Sequence, residues 1–151
     1  MDLSTPQPRN PSLPIFFNVS TSVGNQGMNT NRDDILLVQF FLRKNGEKVP
    51  AKTAEGAAEN EIMKRVPLSG VADPATIAGI RAFQTAMRRK IPSTAIDGRV
   101  SPARNYSYGS GMFTIAAMNG FLRRHCKDVW PRIHDFTDCP EPVRAKAREL
   151  I

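Results

Sequence analysis

Asp73-Pro74-Ala75-Thr76-Ile77-Ala78-Gly79-Ile80-Arg81-Ala82-Phe83-Gln84-Thr85-Ala86-Met87 decides the fold. Asp73 suits a helix N-cap, because its carboxylate accepts from backbone N–H groups that have no partner in the first turn. Pro74 suits the first helical position, where its missing N–H costs nothing. Thr76, Ile80, Phe83 and Met87 then recur at helical spacing along one side. Arg88-Arg89-Lys90 puts cations where the helix dipole favours them, and Pro92 terminates the segment.

The same pattern stands earlier in the chain. Ile35-x-x-Val38-Gln39-x-x-Leu42 matches Ile80-x-x-Phe83-Gln84-x-x-Met87 position for position. Leu36 and Phe40 widen the first stripe, Asp33 or a neighbour caps it, and Gly46 is expected to stop it. A third helix is expected over Met112 to His125, with Ile115, Met118, Phe121 and Leu122 apolar. Three amphipathic helices joined by Gly/Pro turns can bury one core, so the expected class is all-α, a compact three-helix bundle.

The remaining segments are expected to decorate that bundle. Residues 1–14 hold Pro6, Pro8, Pro11 and Pro14, which rules out a helix and indicates an extended arm, with residues 1–21 as the N-terminal unit. Ile15-Phe16-Phe17-Asn18-Val19 reads as a short strand or an apolar anchor. Ser22 to Arg32 reads as a loop. Residues 44–67 are polar and mixed and read as a surface insertion within a domain at 22–127, with a short helix possible over Thr53 to Arg65. Residues 128–151 form a C-terminal extension ending in a short helix from Glu141 to Leu150.

Composition bounds the function. The chain has 151 residues, 40% hydrophobic and 23% charged, which is ordinary for a folded domain. No apolar run approaches the ~20 residues of a membrane span. The first residues carry neither a basic n-region nor an apolar h-region, so no Sec-type signal peptide is expected. The protein is expected to be made in the cytoplasm, with any delivery to the periplasm by another route. The net charge of +7 falls wholly in residues 76–151, which hold 13 Lys/Arg and 6 Asp/Glu. That asymmetry gives a basic face suited to an anionic partner, or simply a soluble surface. Nucleic acid is the weaker partner, since Tyr106 and Tyr108 are the only aromatics in a plainly exposed loop.

The chain offers little for bond chemistry. His125, Cys126, His134, Asp135, Asp138 and Cys139 cluster in sequence, but without zinc-ligand spacing, so no metal and no cofactor is expected. Adjacent His125 and Cys126 would point about 100° apart on a helix, which argues against a nucleophile pair. Cys126 and Cys139 read as two thiols or, alternatively, one disulfide. Gly24-Asn25-Gln26-Gly27 lacks the Lys and Ser/Thr of a phosphate loop. No enzyme is expected.

The doubled helix motif and its turns resemble the peptidoglycan-binding domain found attached to many cell-wall hydrolases. Ile35, Val38, Gln39 and Leu42 match that family's first segment. Gly70, Thr76, Ile80, Phe83 and Gln84 match the second, and Asp97, Gly98, Val100 and Pro102 the third. The resemblance spans residues 22–124. Ser69 stands where the family has Asp, Ala72 and Asp73 replace an aromatic and a Gly, Ser101 replaces the last Gly, and Arg104 occupies the place of a second Thr. The resemblance implies a three-helix, non-catalytic binding module for peptidoglycan or another anionic wall polymer. It implies a ligand face at Ser69, Gly70, Asp97, Gly98, Arg99 and Tyr106. A stand-alone module of this kind suits a type VI secretion system or another phage-tail-like injection machine. The alternative is a protein–protein adaptor that keeps the fold without wall binding. Gln39 and Gln84, beside core positions, are expected to hydrogen-bond loop backbone rather than ligand.

Overall fold

A computed structural model describes residues 1–4, 16–103 and 113–150. Among these residues the chain is mostly helical, as the all-α expectation requires. Five helices are present: α1 (Arg32–Lys48), α2 (Ala54–Lys64), α3 (Pro74–Arg88), α4 (Thr114–His125) and α5 (Glu141–Leu150). Two small antiparallel ribbons accompany them, β1 (Asp2–Ser4) with β2 (Phe16–Asn18) and β3 (Val23–Gly24) with β4 (Arg99–Val100).

The three expected helices are α1, α3 and α4. In α3, Asp73 caps through its side chain to the Thr76 N–H at 2.8 Å, with Pro74 first in the helix. Thr76, Ile80, Phe83 and Met87 are all buried. The α1 N-cap is Asn31, whose Oδ1 accepts from the Asp34 N–H at 3.1 Å.

α1 departs from a one-sided stripe. Every residue from Asp34 to Leu42 is buried, so this helix is the axis of the core. It also runs past Gly46 to Lys48. Gly46 is there for contact: an added Cβ would lie 2.7 Å from the Asn60 carbonyl of α2 and 3.0 Å from the Lys64 backbone nitrogen. Glycine at this point brings α1 and α2 together, and the helix accepts its ~1 kcal/mol propensity cost.

The expected surface insertion is corrected by that contact. Its helix, α2, lies between α1 and α3, and Met63 and Val66 join the core. The segment reads as polar because only a narrow stripe faces inward. Glu59, itself buried, takes the Arg89 guanidinium at the end of α3. The C-terminal residues are equally integral: Ile133, Cys139, Val143 and Ala147 are buried in the same core.

The N-terminal arm lies in part outside the described residues, which omit 5–15 and with them all four prolines. Residues 1–4 are not a free arm. Met1 is buried, and β1 pairs with β2 in the register Leu3 to Phe17. The other edge of β2 is covered by a side chain. The Phe17 N–H donates to Asn119 Oδ1 at 2.7 Å, and Asn119 Nδ2 donates to the Phe17 carbonyl at 2.9 Å. Asn119 thus imitates a neighbouring strand. Asp34, at the start of α1, accepts from the Ser20 and Thr21 N–H groups at 3.0 and 2.9 Å and from the Met1 amine.

Aromatic contacts fasten the ends of the chain to α1. Phe17 meets Phe41 and Trp130 edge-on at centroid distances of 6.2 and 5.6 Å, and Phe40 meets Phe136 at 5.9 Å. Lys44, buried on α1, reaches Asp138 at 2.7 Å and Glu47 at 2.8 Å. Its ammonium lies 5.0 Å from the Phe136 ring centroid.

Candidate functional site

The doubled sequence motif is a doubled structure. Gln39 lies wholly inside and spends its carboxamide on the turn before α3: Oε1 accepts the Gly70 N–H at 2.9 Å, and Nε2 donates to the Val71 carbonyl at 2.9 Å, Thr76 Oγ1 at 3.0 Å and Ser69 Oγ at 3.1 Å. Gln84 does the same for the turn before α4. Its Oε1 accepts the Gly98 N–H at 2.9 Å, and its Nε2 donates to Asp97 Oδ1 at 2.9 Å, the Arg99 carbonyl at 3.1 Å and Thr114 Oγ1 at 3.2 Å. Each helix therefore grips, through one buried amide, a Gly turn and the threonine that opens a later helix. A buried amide left without partners costs about 1–3 kcal/mol, which is why glutamine holds both places.

Both glycines have positive φ, 73° at Gly70 and 72° at Gly98, a conformation disfavoured for any residue with a Cβ. The β3–β4 ribbon supports the second turn, with the Asn25 N–H donating to the Gly98 carbonyl at 2.9 Å and Asn25 Nδ2 to the Asp97 carbonyl at 3.2 Å.

The threonine that Gln84 holds is Thr114, at the head of α4, and not a residue at position 104. Gln84 finds the threonine through space.

Ser69 and Gly70 thus share one turn, held against α1 by Gln39 and Arg32, and Asp97, Gly98 and Arg99 the other, held against α3 by Gln84 and Arg81. Ser69 is exposed while its hydroxyl braces the turn, accepting from the Val71 N–H at 3.2 Å. Asp97 Oδ1 is committed inward, to Gln84 and to the Arg99 N–H at 3.0 Å, while Oδ2 stands 3.7 Å from the Arg99 guanidinium. Tyr106 lies outside the described residues.

Sequence reasoning missed two residues that the turns bring forward. Arg32 lies across Gly70, where an added Cβ would sit 2.8 Å from its Nε. Arg81 lies across Gly98, with the corresponding distance 3.0 Å. Both are exposed, and neither is ion-paired among the described residues. Beside each glycine stands an exposed aliphatic: Val71, 62% accessible, and Ile96, 36%. The signal was available in principle, since both arginines lie on the helices that carry the glutamines, but it needs the turn geometry to be seen.

The arrangement can bind and orient; it presents guanidinium groups and small apolar surface. Among the described residues, no group of three or more His, Cys, Asp or Glu is placed to hold a metal ion. Cys126 and Cys139 are buried free thiols, and burial pushes Cys139 up to about 11. No helix among the described residues is long and apolar enough to cross a membrane. Compared with known protein families, curated proteins and solved structures, the chain matches none.

Proposed function

We propose that this chain is a non-catalytic module that binds cell-wall peptidoglycan, carried by a secretion or phage-tail-like injection machine. The observation that supports it is the pair of glutamine-gripped glycine turns. Each presents an arginine and an exposed aliphatic on a rigid base: Arg32 with Val71, and Arg81 with Ile96. Peptidoglycan stem peptides offer matching chemistry, carboxylates for the guanidinium forks and short aliphatic side chains for the apolar spots. The rigidity of the turns lowers the ordering cost of binding, which favours recognition of a small repeated motif.

The test is co-sedimentation of the purified protein with washed peptidoglycan sacculi. Pelleting is expected to survive ~0.5 M salt, where the Debye length is about 4 Å. Arg32→Gln together with Arg81→Gln is expected to abolish it while the fold persists. Pelleting lost at high salt would reduce the interaction to charge alone. Absence of pelleting at any salt would favour the second reading, a protein–protein adaptor, in which exposed Val71 and Met28, 62% and 65% accessible, meet a partner protein instead.

A further inference from the structure

The far end of the bundle carries a different surface. α1, α3 and α4 finish there, at Lys48, Arg88 and His125, while the glycine turns sit where α3 and α4 begin. Lys52, Lys90, Arg124 and Lys127 come together at this end: all four act on His125, Lys90 lies over the Phe121 ring of α4, and none of them is ion-paired among the described residues. Their neighbour Arg89 is paired, to Glu59, so the end has a neutralised rim beside an uncompensated cluster. Asp128 and Glu55 are nearby acids, acting on Cys126 and Arg89, and neither forms an ion pair with these cations.

Cations at helix C-termini satisfy helix dipoles, but a dipole end is worth only about half a charge. Four unpaired cations exceed what three helix ends need. The excess is felt inside the cluster: partial desolvation, then the charges of Arg124, Lys90, Lys127 and Lys52, hold His125 below the usual histidine value. Like charges this close destabilise the folded chain until something anionic relieves them.

We propose that this end is a docking surface for a flexible, phosphate-bearing polyanionic chain. Long side chains from separate segments can follow closely spaced phosphates, and the Arg124 guanidinium can grip one bidentately. The surface lacks the parts other polyanions call for. Among the described residues the large exposed apolar ones, Met28, Ile62, Val71, Ile96 and Phe113, all lie outside the segments that supply these cations, so those segments carry no wedge for a bilayer. Phe121, on α4 at this end, is half-buried and covered by Lys90, whose Nζ lies 4.7 Å from its centroid, so that ring offers no open face for a base to stack on. The surface is separate from the glycine turns and does not depend on their ligand.

The experiment titrates the full chain with long-chain inorganic polyphosphate at ~0.15 M salt, alongside the triple variant Lys90→Gln, Arg124→Gln, Lys127→Gln. Wild type is expected to bind, to melt at higher temperature when bound, and to show the His125 imidazole pKa rising toward its ordinary value by NMR. The variant should bind at least ~tenfold more weakly, with a salt slope smaller by about three, one for each cation removed. Removing like charges should leave the free variant as stable as wild type or more so, which separates loss of the surface from loss of the fold. Equal binding by the variant, or no binding by wild type, would overturn the proposal. So would tighter binding to duplex DNA or to phosphatidylglycerol vesicles than to polyphosphate, which would reassign the surface to nucleic acid or to membrane.

Discussion

Gln39 and Gln84 are structural counterparts: each receives a glycine N–H at 2.9 Å, from Gly70 and from Gly98. They share no hydrogen-bond partner, so the two grips are separate fasteners. Replacing either by Leu strands a buried glycine N–H; Thr76 keeps Asp73 as a partner at 2.8 Å, whereas Thr114 loses the amide that holds it. Each substitution is expected to cost about 2–3 kcal/mol in urea unfolding, and the double variant close to the sum. A loss below ~0.5 kcal/mol for either would mean that water satisfies the turn.

The glycines should rank by what surrounds them. At Gly70 an added Cβ meets only the flexible Arg32 side chain, and at Gly98 it meets Arg81 and, at 3.1 Å, the Ile77 methyl, so alanine is expected to cost mainly the backbone term, about 1–2 kcal/mol, with Gly98 the costlier of the two. At Gly24, with φ 109°, the added Cβ would lie 2.3 Å from the Gly98 carbonyl. That neighbour is backbone and cannot swing aside. Gly24→Ala is therefore expected to be the most damaging of the three by thermal melting.

Lys44 links α1 to the C-terminal segment. Burial opposes its charge, yet the hydrogen bonds to Asp138 and Glu47 prevail and raise its pKa. A raised lysine contributes stability that is fully present below the unfolded value of ~10.5 and is lost as pH rises through the folded value. Lys44→Met should lower stability at pH 7 by about 2 kcal/mol, between an exposed pair and a fully buried one. The gap between wild type and variant should narrow as pH rises above ~10.5 in denaturant titrations. A gap that stays constant over that range would show that packing, not charge, carries the effect.

Neither thiol should react in the folded protein. Burial raises both Cys126 and Cys139, the latter to about 11, so the thiolate is scarce at neutral pH. Iodoacetamide at pH 8 is expected to label both only after unfolding. Fast labelling of native Cys139 would mean that the α5 segment opens locally.

The helices were legible because their periodicity is strong. Asp73-Pro74 and the stripe through Ile80 and Phe83 state the start and the face of α3 without ambiguity. The inward role of both glutamines was legible too, since an amide among core residues needs partners. What escaped reading was set by tertiary contact. Gly46 reads as a stop, yet it serves a close crossing with α2. Polar residues hide the inward stripe of α2, where Met63 alone marks the helix as part of the core. Thr114 and the arginines across the glycines depend on approaches between segments distant in sequence, which spacing along one chain does not encode.

Asn119 has a consequence for how the molecule behaves in company. A two-stranded ribbon leaves one row of backbone donors and acceptors open on each strand, and such rows recruit strands from other molecules. On β2 that row is occupied at Phe17 by a side-chain amide belonging to α4. An incoming strand would have to displace a buried asparagine before it could form its first rung. The ribbon is thus closed to templating from that side, and crowding the protein to high concentration should leave it monodisperse there, whereas Asn119→Ala would unlock a polymerisation edge.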